Sequence, residues 1–221
     1  MTAFFCPDES SKFNVIANAI ADTGWCRLDH ALSPLLLAEL ARTAAAFEPE
    51  ELKKAGIGPG GDAIIDRSQR SDRIRWINGS SEVEQQWLQW MERLRLHLNR
   101  ELFLGLFNYE SHFSRYLPGD YYRRHLDAFR GGANRRLSSV LYLNDDWQPE
   151  DGGNLVIYQP TGHPAEADTE IARIEPHAGT LVLFLSEEFP HEVLPALKAR
   201  HSIAGWFRVN GSAHDRADPA R

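Results

Sequence analysis

Apolar positions change their spacing partway along this 221-residue chain. Between residues 10 and 55 they recur at helical intervals. A helix capped by Ser10 or Ser11 is expected to run through Ala21 and stop at Gly24. Ser33-Pro34 opens a second, in which Leu36, Leu37, Leu40 and Ala44 are spaced for one buried face. The stretch Gly56-Ile57-Gly58-Pro59-Gly60-Gly61 is too glycine-rich for a packed element, and Arg73-Ile74-Arg75-Trp76-Ile77 alternates like a strand. Ser80 or Ser81 with Glu84 then begins the longest helix, ending near Leu104. Its Val83, Trp87, Met91, Leu94, Leu98 and Leu102 form an apolar stripe of the kind that braces a sheet. After residue 105 the period falls to two. Strands are expected over 109–117, 137–143, 154–159, 170–174, 180–185 and 202–209, parted by turn-formers such as Asp151-Gly152-Gly153, Pro160-Thr161-Gly162 and Glu175-Pro176.

Helices followed by many short strands predict a mainly β, α+β architecture: a closed or double-sheet β structure with helices against it. A single domain over 1–221 divides into helical support with a loop at about 56–75 (1–105), a β core (106–209) and a polar tail (210–221). Small hinges and charged tips suit the loop to cover a site. Composition narrows the function. An apolar content of 43% supplies a full core. A net charge of −7 lacks the positive field of a sequence-independent nucleic-acid binder. No apolar run reaches the roughly 20 residues that span a bilayer, and the first residues lack the basic and apolar parts of a signal peptide. Cys6 and Cys26 stand outside any Cys-x-x-Cys pair, so two reduced thiols are expected rather than a disulfide. A soluble, cytoplasmic protein follows, expected to be a monomer and to engage neither nucleic acid nor membrane.

Chemistry gathers in the strand region. In Tyr116-Leu117-Pro118-Gly119-Asp120-Tyr121-Tyr122-Arg123-Arg124-His125-Leu126-Asp127, an imidazole and a carboxylate stand two residues apart. On a strand they share a face. One such pair is expected by chance in roughly every second chain of this composition, so the pair alone decides little. A distant His191 supplies a second imidazole, and two His with one carboxylate make the facial triad of non-haem Fe(II) oxygenases, with coordination positions left open. Arg200, nine residues past His191, offers a planar donor fork for a carboxylate, and Tyr142 a neutral hydroxyl.

These pieces, in this order, resemble the Fe(II)/2-oxoglutarate prolyl hydroxylases of the oxygen-sensing type, and more closely their bacterial relatives. The matching segments are Tyr116 to Asp127, Tyr142-Leu143-Asn144-Asp145-Asp146-Trp147, Asp151-Gly152-Gly153-Asn154-Leu155, Pro190-His191-Glu192-Val193-Leu194-Pro195-Ala196 with Arg200 and Trp206, and Arg70-Ser71-Asp72-Arg73-Ile74-Arg75-Trp76-Ile77. The resemblance implies a double-stranded β-helix, a jelly-roll or cupin-like fold, with N-terminal helices packed on one sheet. It implies Fe(II) on His125, Asp127 and His191, and 2-oxoglutarate paired with Arg200 and hydrogen-bonded by Tyr142. It further implies O₂ as oxidant, ascorbate as reductant, and Asp72, Arg136 and Trp206 near the substrate entrance. A co-substrate tyrosine found directly before Pro-Gly in some members is Leu117 here, with Tyr116 one earlier, so that role stays unassigned. The implied reaction is hydroxylation of a prolyl residue in a protein, and the bacterial branch points to elongation factor Tu. Two alternatives stay open: the same chemistry on another protein residue or a small molecule, and a non-catalytic cupin-like metal-binding module using Zn²⁺. The second gives Arg200 and Tyr142 nothing to do.

Overall fold

A computed structural model describes residues 7–55, 69–128, 134–160 and 169–210. Helices α1 (Pro7–Thr23), α2 (Pro34–Ala46) and α3 (Glu82–Leu102) accompany eleven strands among the described residues. The strands are β1 (Trp25–Leu28), β2 (Lys53–Lys54), β3 (Arg73–Trp76), β4 (Leu106–Tyr116), β5 (Tyr122–His125), β6 (Arg135–Tyr142), β7 (Leu155–Tyr158), β8 (Glu170–Ile174), β9 (Leu181–Leu185), β10 (His191–Val193) and β11 (Arg200–Val209). The major sheet runs β1-β9-β6-β11-β4-β3-β2 and the minor sheet β5-β10-β7-β8. All strand pairings are antiparallel. The two sheets form a double-stranded β-helix, and the helices cover the outer face of the larger one.

The major sheet is buried on both faces, and its sequence shows why. In Leu181-Val182-Leu183-Phe184, Leu181 and Leu183 join the cluster beneath the helices, whereas Val182 and Phe184 face the cluster between the sheets. A strand covered on both sides reads as a continuous apolar run. The α3 stripe forms the other half of the outer core: Trp87, Met91, Leu94 and Leu98 are fully buried against Phe113, Leu137, Leu141, Ile203 and Phe207. Trp87 also donates its indole N–H to Ser111 Oγ at 3.2 Å, which satisfies its one polar atom. Ser33 caps α2 through the Leu36 amide, and Ser81 caps α3 through the Glu84 amide. The Glu84 carboxylate does not complete a capping box. It is buried, pairs with Arg75 at 2.6 Å and accepts the amides of Asn78, Gly79 and Ser80.

The chain departs from the sequence pattern in three places. Residues 10–55 are not uniformly helical, because β1 intervenes and pairs with β9 at the sheet edge. Four residues are too few for a period to show. Helix α1 begins at Pro7, before either serine proposed as its cap. Strand β5 ends at His125, so Asp127 lies beyond it rather than on the same strand. Residues 56–68 of the expected covering loop, Cys6 and tail residues 211–221 lie outside the described residues. The loop's last part lies along β5: Arg70 bridges Tyr122, Ser71 N–H donates to the Tyr121 carbonyl at 3.1 Å, and Arg123 N–H to that of Gln69 at 2.7 Å. Cys26 is a free, buried thiol, which burial pushes up to about 11. No helix among the described residues is long and apolar enough to cross a membrane.

Trp87 joins helix and sheet, so Trp87→Ala is expected to cost about 3–5 kcal/mol in equilibrium urea unfolding. A loss below about 1 kcal/mol would mean that α3 contributes little to the core.

Candidate active site

His125 at the end of β5, Asp127 just beyond it and His191 at the start of β10 converge between the sheets. Their ligating atoms all lie within 4.8 Å of one another. His191 pairs directly with His125 across β10 and β5, so sheet register brings the two imidazoles together. The His125 Nε2 to Asp127 Oδ1 distance is 3.4 Å and His191 Nε2 to Asp127 Oδ2 is 3.6 Å. Both rings are oriented in the same way. His125 Nδ1 lies 2.8 Å from the Arg123 carbonyl and His191 Nδ1 3.0 Å from that of Phe189. A carbonyl can only accept, so each Nδ1 carries its hydrogen and Nε2 is the nitrogen turned to the shared centre. Burial, then the adjacent His125, pushes His191 down to about 4. Burial opposes ionisation of Asp127, but the two imidazoles outweigh it and hold the carboxyl well below its ordinary value. Two imidazoles and a carboxylate are the donor set of a divalent transition metal with open positions.

Beside this cluster lies a buried cation. Arg200, the first residue of β11, is 1% exposed. Its Nε donates to the Gly153 carbonyl at 2.9 Å and its Nη1 reaches Ser202 Oγ at 3.4 Å. Its Nη2 has no partner among the described residues, and neither does the hydroxyl of fully buried Tyr142. The guanidinium lies between the Tyr116 and Tyr142 rings, 4.9 and 5.0 Å from their centroids. Burial, against the pull of Arg200, raises Tyr142 to about 12, so it is a neutral donor. Asp151-Gly152-Gly153 makes the approach possible. Gly153 sits at φ +67°, and a Cβ there would fall 2.9 Å from Ala196 Cβ and 3.1 Å from Arg200 Cδ. Tyr142-Leu143-Asn144 closes the same end, because the Asn144 amide exchanges hydrogen bonds with the backbone of His201. A buried guanidinium without a counter-charge is costly. Together with an orphaned hydroxyl it defines a place for a ligand carboxylate.

The metal cluster and Arg200 share one cleft, lined by Arg70, His112, Tyr116, Tyr122, Arg200 and Trp206 among others. Trp206 lines this cleft, and its indole N–H has no partner among the described residues. Asp72 is not on the cleft wall: it is 1% exposed and grips Arg70 through two hydrogen bonds of 2.7 and 2.8 Å. Arg70 in turn lies 4.3 Å over Tyr122, whose ring stacks on His125 at 3.6 Å. Arg136 is exposed, and its neighbour Arg135 takes the position at 3.6 Å over the Trp206 ring. A register shift between β6 and β11 at this end sets Arg135 opposite Arg208. Sequence reasoning also missed His112 and Ser114, hydrogen-bonded at 3.0 Å on the inner face of β4, and Tyr116 beside Arg200. Polar residues at alternate positions of that strand were the available signal.

Residues 111–208 match the family described as the 2OG-Fe(II) oxygenase superfamily. The crystal structure of a Pseudomonas putida prolyl-4-hydroxylase is 43% identical, with a TM-score of 0.79, over 90% of this chain and 100% of that one. A Trichoplax adhaerens prolyl hydroxylase, in complex with a hypoxia inducible factor oxygen degradation domain peptide fragment, shares the fold. Its TM-score is 0.80 at 22% identity, over 94% of each chain. Human Egl nine homolog 1 is 31% identical over 147 residues, 62% of this chain and 33% of that protein, so the chain spans about a third of its length. The fold and site define a non-haem iron oxygenase. The chain belongs to the 2OG-Fe(II) oxygenase superfamily, which implies Fe(II), 2-oxoglutarate and O₂. The donor set and the orphaned Arg200 and Tyr142 groups fit that metal and that co-substrate.

Burial, then nearby arginines, pushes His112 and His201 down to about 4 from an ordinary 6.5. Both stay neutral in the fold while the unfolded chain protonates. Their contribution is therefore intact above about pH 6.5 and is lost as pH falls toward 4. Urea midpoints of the metal-free protein should drop between pH 7 and pH 5 by the equivalent of about 3–4 kcal/mol for the two histidines together. Equal midpoints would contradict this.

Proposed function

We propose that this oxygenase hydroxylates a prolyl residue in a protein substrate. His125, Asp127 and His191 would hold Fe(II), and Arg200 with Tyr142 would anchor the distal carboxylate of 2-oxoglutarate. The observation that carries the reading is the buried Arg200, whose Nη2 has no partner among the described residues, beside the three-ligand cluster. The prolyl class is supported by the Pseudomonas putida prolyl-4-hydroxylase, and a protein substrate by the peptide complex of the Trichoplax adhaerens enzyme. Elongation factor Tu as substrate, ascorbate as reductant, a monomeric state and a cytoplasmic location complete the proposal on the strength of the sequence resemblance and composition.

When bound, Fe(II) couples oxidative decarboxylation of 2-oxoglutarate by O₂ to insertion of one oxygen into a substrate C–H bond, giving succinate and CO₂. The chain's own residues position and shield. Arg200 and Tyr142 set how deep the co-substrate sits, leaving its keto-acid end toward the imidazoles. The Tyr116, Tyr122 and Trp206 rings exclude water from the cleft. Asp72 acts indirectly by fixing Arg70 against Tyr122, and Arg135 rather than Arg136 stands beside Trp206. A Zn²⁺-binding module would leave the Arg200 cation without a counter-charge.

The test is mass spectrometry of purified elongation factor Tu after incubation with the enzyme, Fe(II), 2-oxoglutarate and air. The expected result is one added oxygen on a proline-containing peptide, absent without 2-oxoglutarate. It should also vanish with folded His125→Ala or Asp127→Ala. Succinate formation with no added oxygen would keep the oxygenase and reject this substrate. Wild-type activity in either variant would refute the metal site.

A further inference from the structure

Asp127 raises a question of placement. Strand β5 stops at His125, so no ladder hydrogen bond fixes the third ligand. Two buried hydroxyls stand behind it. Ser138 Oγ donates to Asp127 Oδ2 at 2.6 Å, a length typical of a charge-assisted bond to a carboxylate. Ser138 has one hydroxyl proton and gives it to an ionised acceptor. The 2.9 Å contact between Ser138 and Ser186 must therefore run from Ser186 to Ser138. Ser186 holds the loop a second time, because its carbonyl accepts the amide of Ala128, the residue after Asp127, at 3.3 Å. Its own amide is tied to the Arg136 carbonyl at 3.1 Å. The Ser186 and Ser138 side chains are sealed from solvent, at 0% and 1% exposure.

We infer that Ser138, backed by Ser186, is the positioning residue that aims Asp127 at the metal. The inference rests on the metal-site reading above. Ser138 sits on β6 between β9 and β11, opposite Phe184 on one side and Trp206 on the other, so its Cβ direction is fixed by ladders on both flanks. It transfers that rigidity to a carboxylate on an irregular segment. Oδ2 is held by the hydroxyl, and Oδ1 takes no hydroxyl or amide among the described residues. A carboxylate so held has one uncommitted edge, which faces His125 Nε2 at 3.4 Å. Neither serine is needed for packing alone, since a buried hydroxyl without a partner costs free energy and alanine would fill most of the same space. Outer groups of this kind commonly change metal affinity 10–100-fold when removed.

The experiment titrates Mn(II), a redox-inert probe for the site, into metal-free wild type, Ser138→Ala, Ser138→Thr and Ser186→Ala. Free Mn(II) is read by electron paramagnetic resonance, and thermal unfolding of each metal-free protein is recorded alongside. Ser138→Ala should bind about 10-fold more weakly or worse while remaining folded. Ser138→Thr, which keeps the hydroxyl, should recover most of the loss. Ser186→Ala should lose affinity in the same direction by a smaller factor. Affinity of Ser138→Ala within about two-fold of wild type would overturn the inference, as would a threonine variant as weak as the alanine one. Should Ser138→Ala not fold, Ser186→Ala decides, and wild-type affinity there overturns it. A wild type that binds no Mn(II) sinks the metal-site reading itself, an outcome distinct from equal binding by all four proteins.

Discussion

A guanidinium removed from water without a counter-ion is the constraint around which this site is built. Arg200 is 1% exposed, and one of its nitrogens has no partner among the described residues. The fold bears that cost at the junction of the two sheets. It surrounds the cation with two tyrosine faces, one serine and one glycine carbonyl, none of which neutralises it. Such an arrangement favours stability only when an anion arrives, so the free energy of binding is stored in the unliganded chain. Gly152, Gly153, Asn144 and Tyr142 serve this pocket more than they serve the core.

The metal face depends on the same architecture from the other sheet. Pairing of β10 with β5 brings two imidazoles together by register, and carbonyls at Arg123 and Phe189 choose their tautomer. The larger sheet supplies the cleft's opposite wall from alternate positions of β4, β6 and β11. It can do so because the helices occupy its outer face and leave the inner face free. The cleft therefore lies between one sheet that offers ligands and another that offers the co-substrate anchor.

Much of this was legible from residue patterns. The two-residue period after residue 105 marked most of the strands in the core, and the α3 stripe marked the face that covers them. The triad, Arg200 and Tyr142 were picked out by their order and spacing, which resemble those of a known family. Other features were hidden for physical reasons. Strands β1 and β10 are too short to show a period. Asp127 looked like a strand residue, although the strand ends at His125. Asp72 was placed near the substrate entrance by the family resemblance alone, and the structure shows it clasping Arg70. Arg136 came from the family resemblance, and a register shift at the end of β6 accompanies Arg135, its neighbour, standing beside Trp206. Ser138 and Ser186 carried no signal at all, since serine is common and its role here depends on a contact 48 residues apart.

The central claim is that Arg200 and the metal face act together on a single dicarboxylate. Calorimetric titration of 2-oxoglutarate into the Mn(II)-loaded protein, wild type against Arg200→Leu, tests it most directly. The account predicts measurable binding to wild type and a loss of at least about 100-fold in the variant, because a buried carboxylate would lose its charge partner. It also predicts that the metal-free variant is no less stable than wild type, since an uncompensated charge has been removed. Equal affinity in the two proteins would contradict the account and return the buried arginine to a purely structural role.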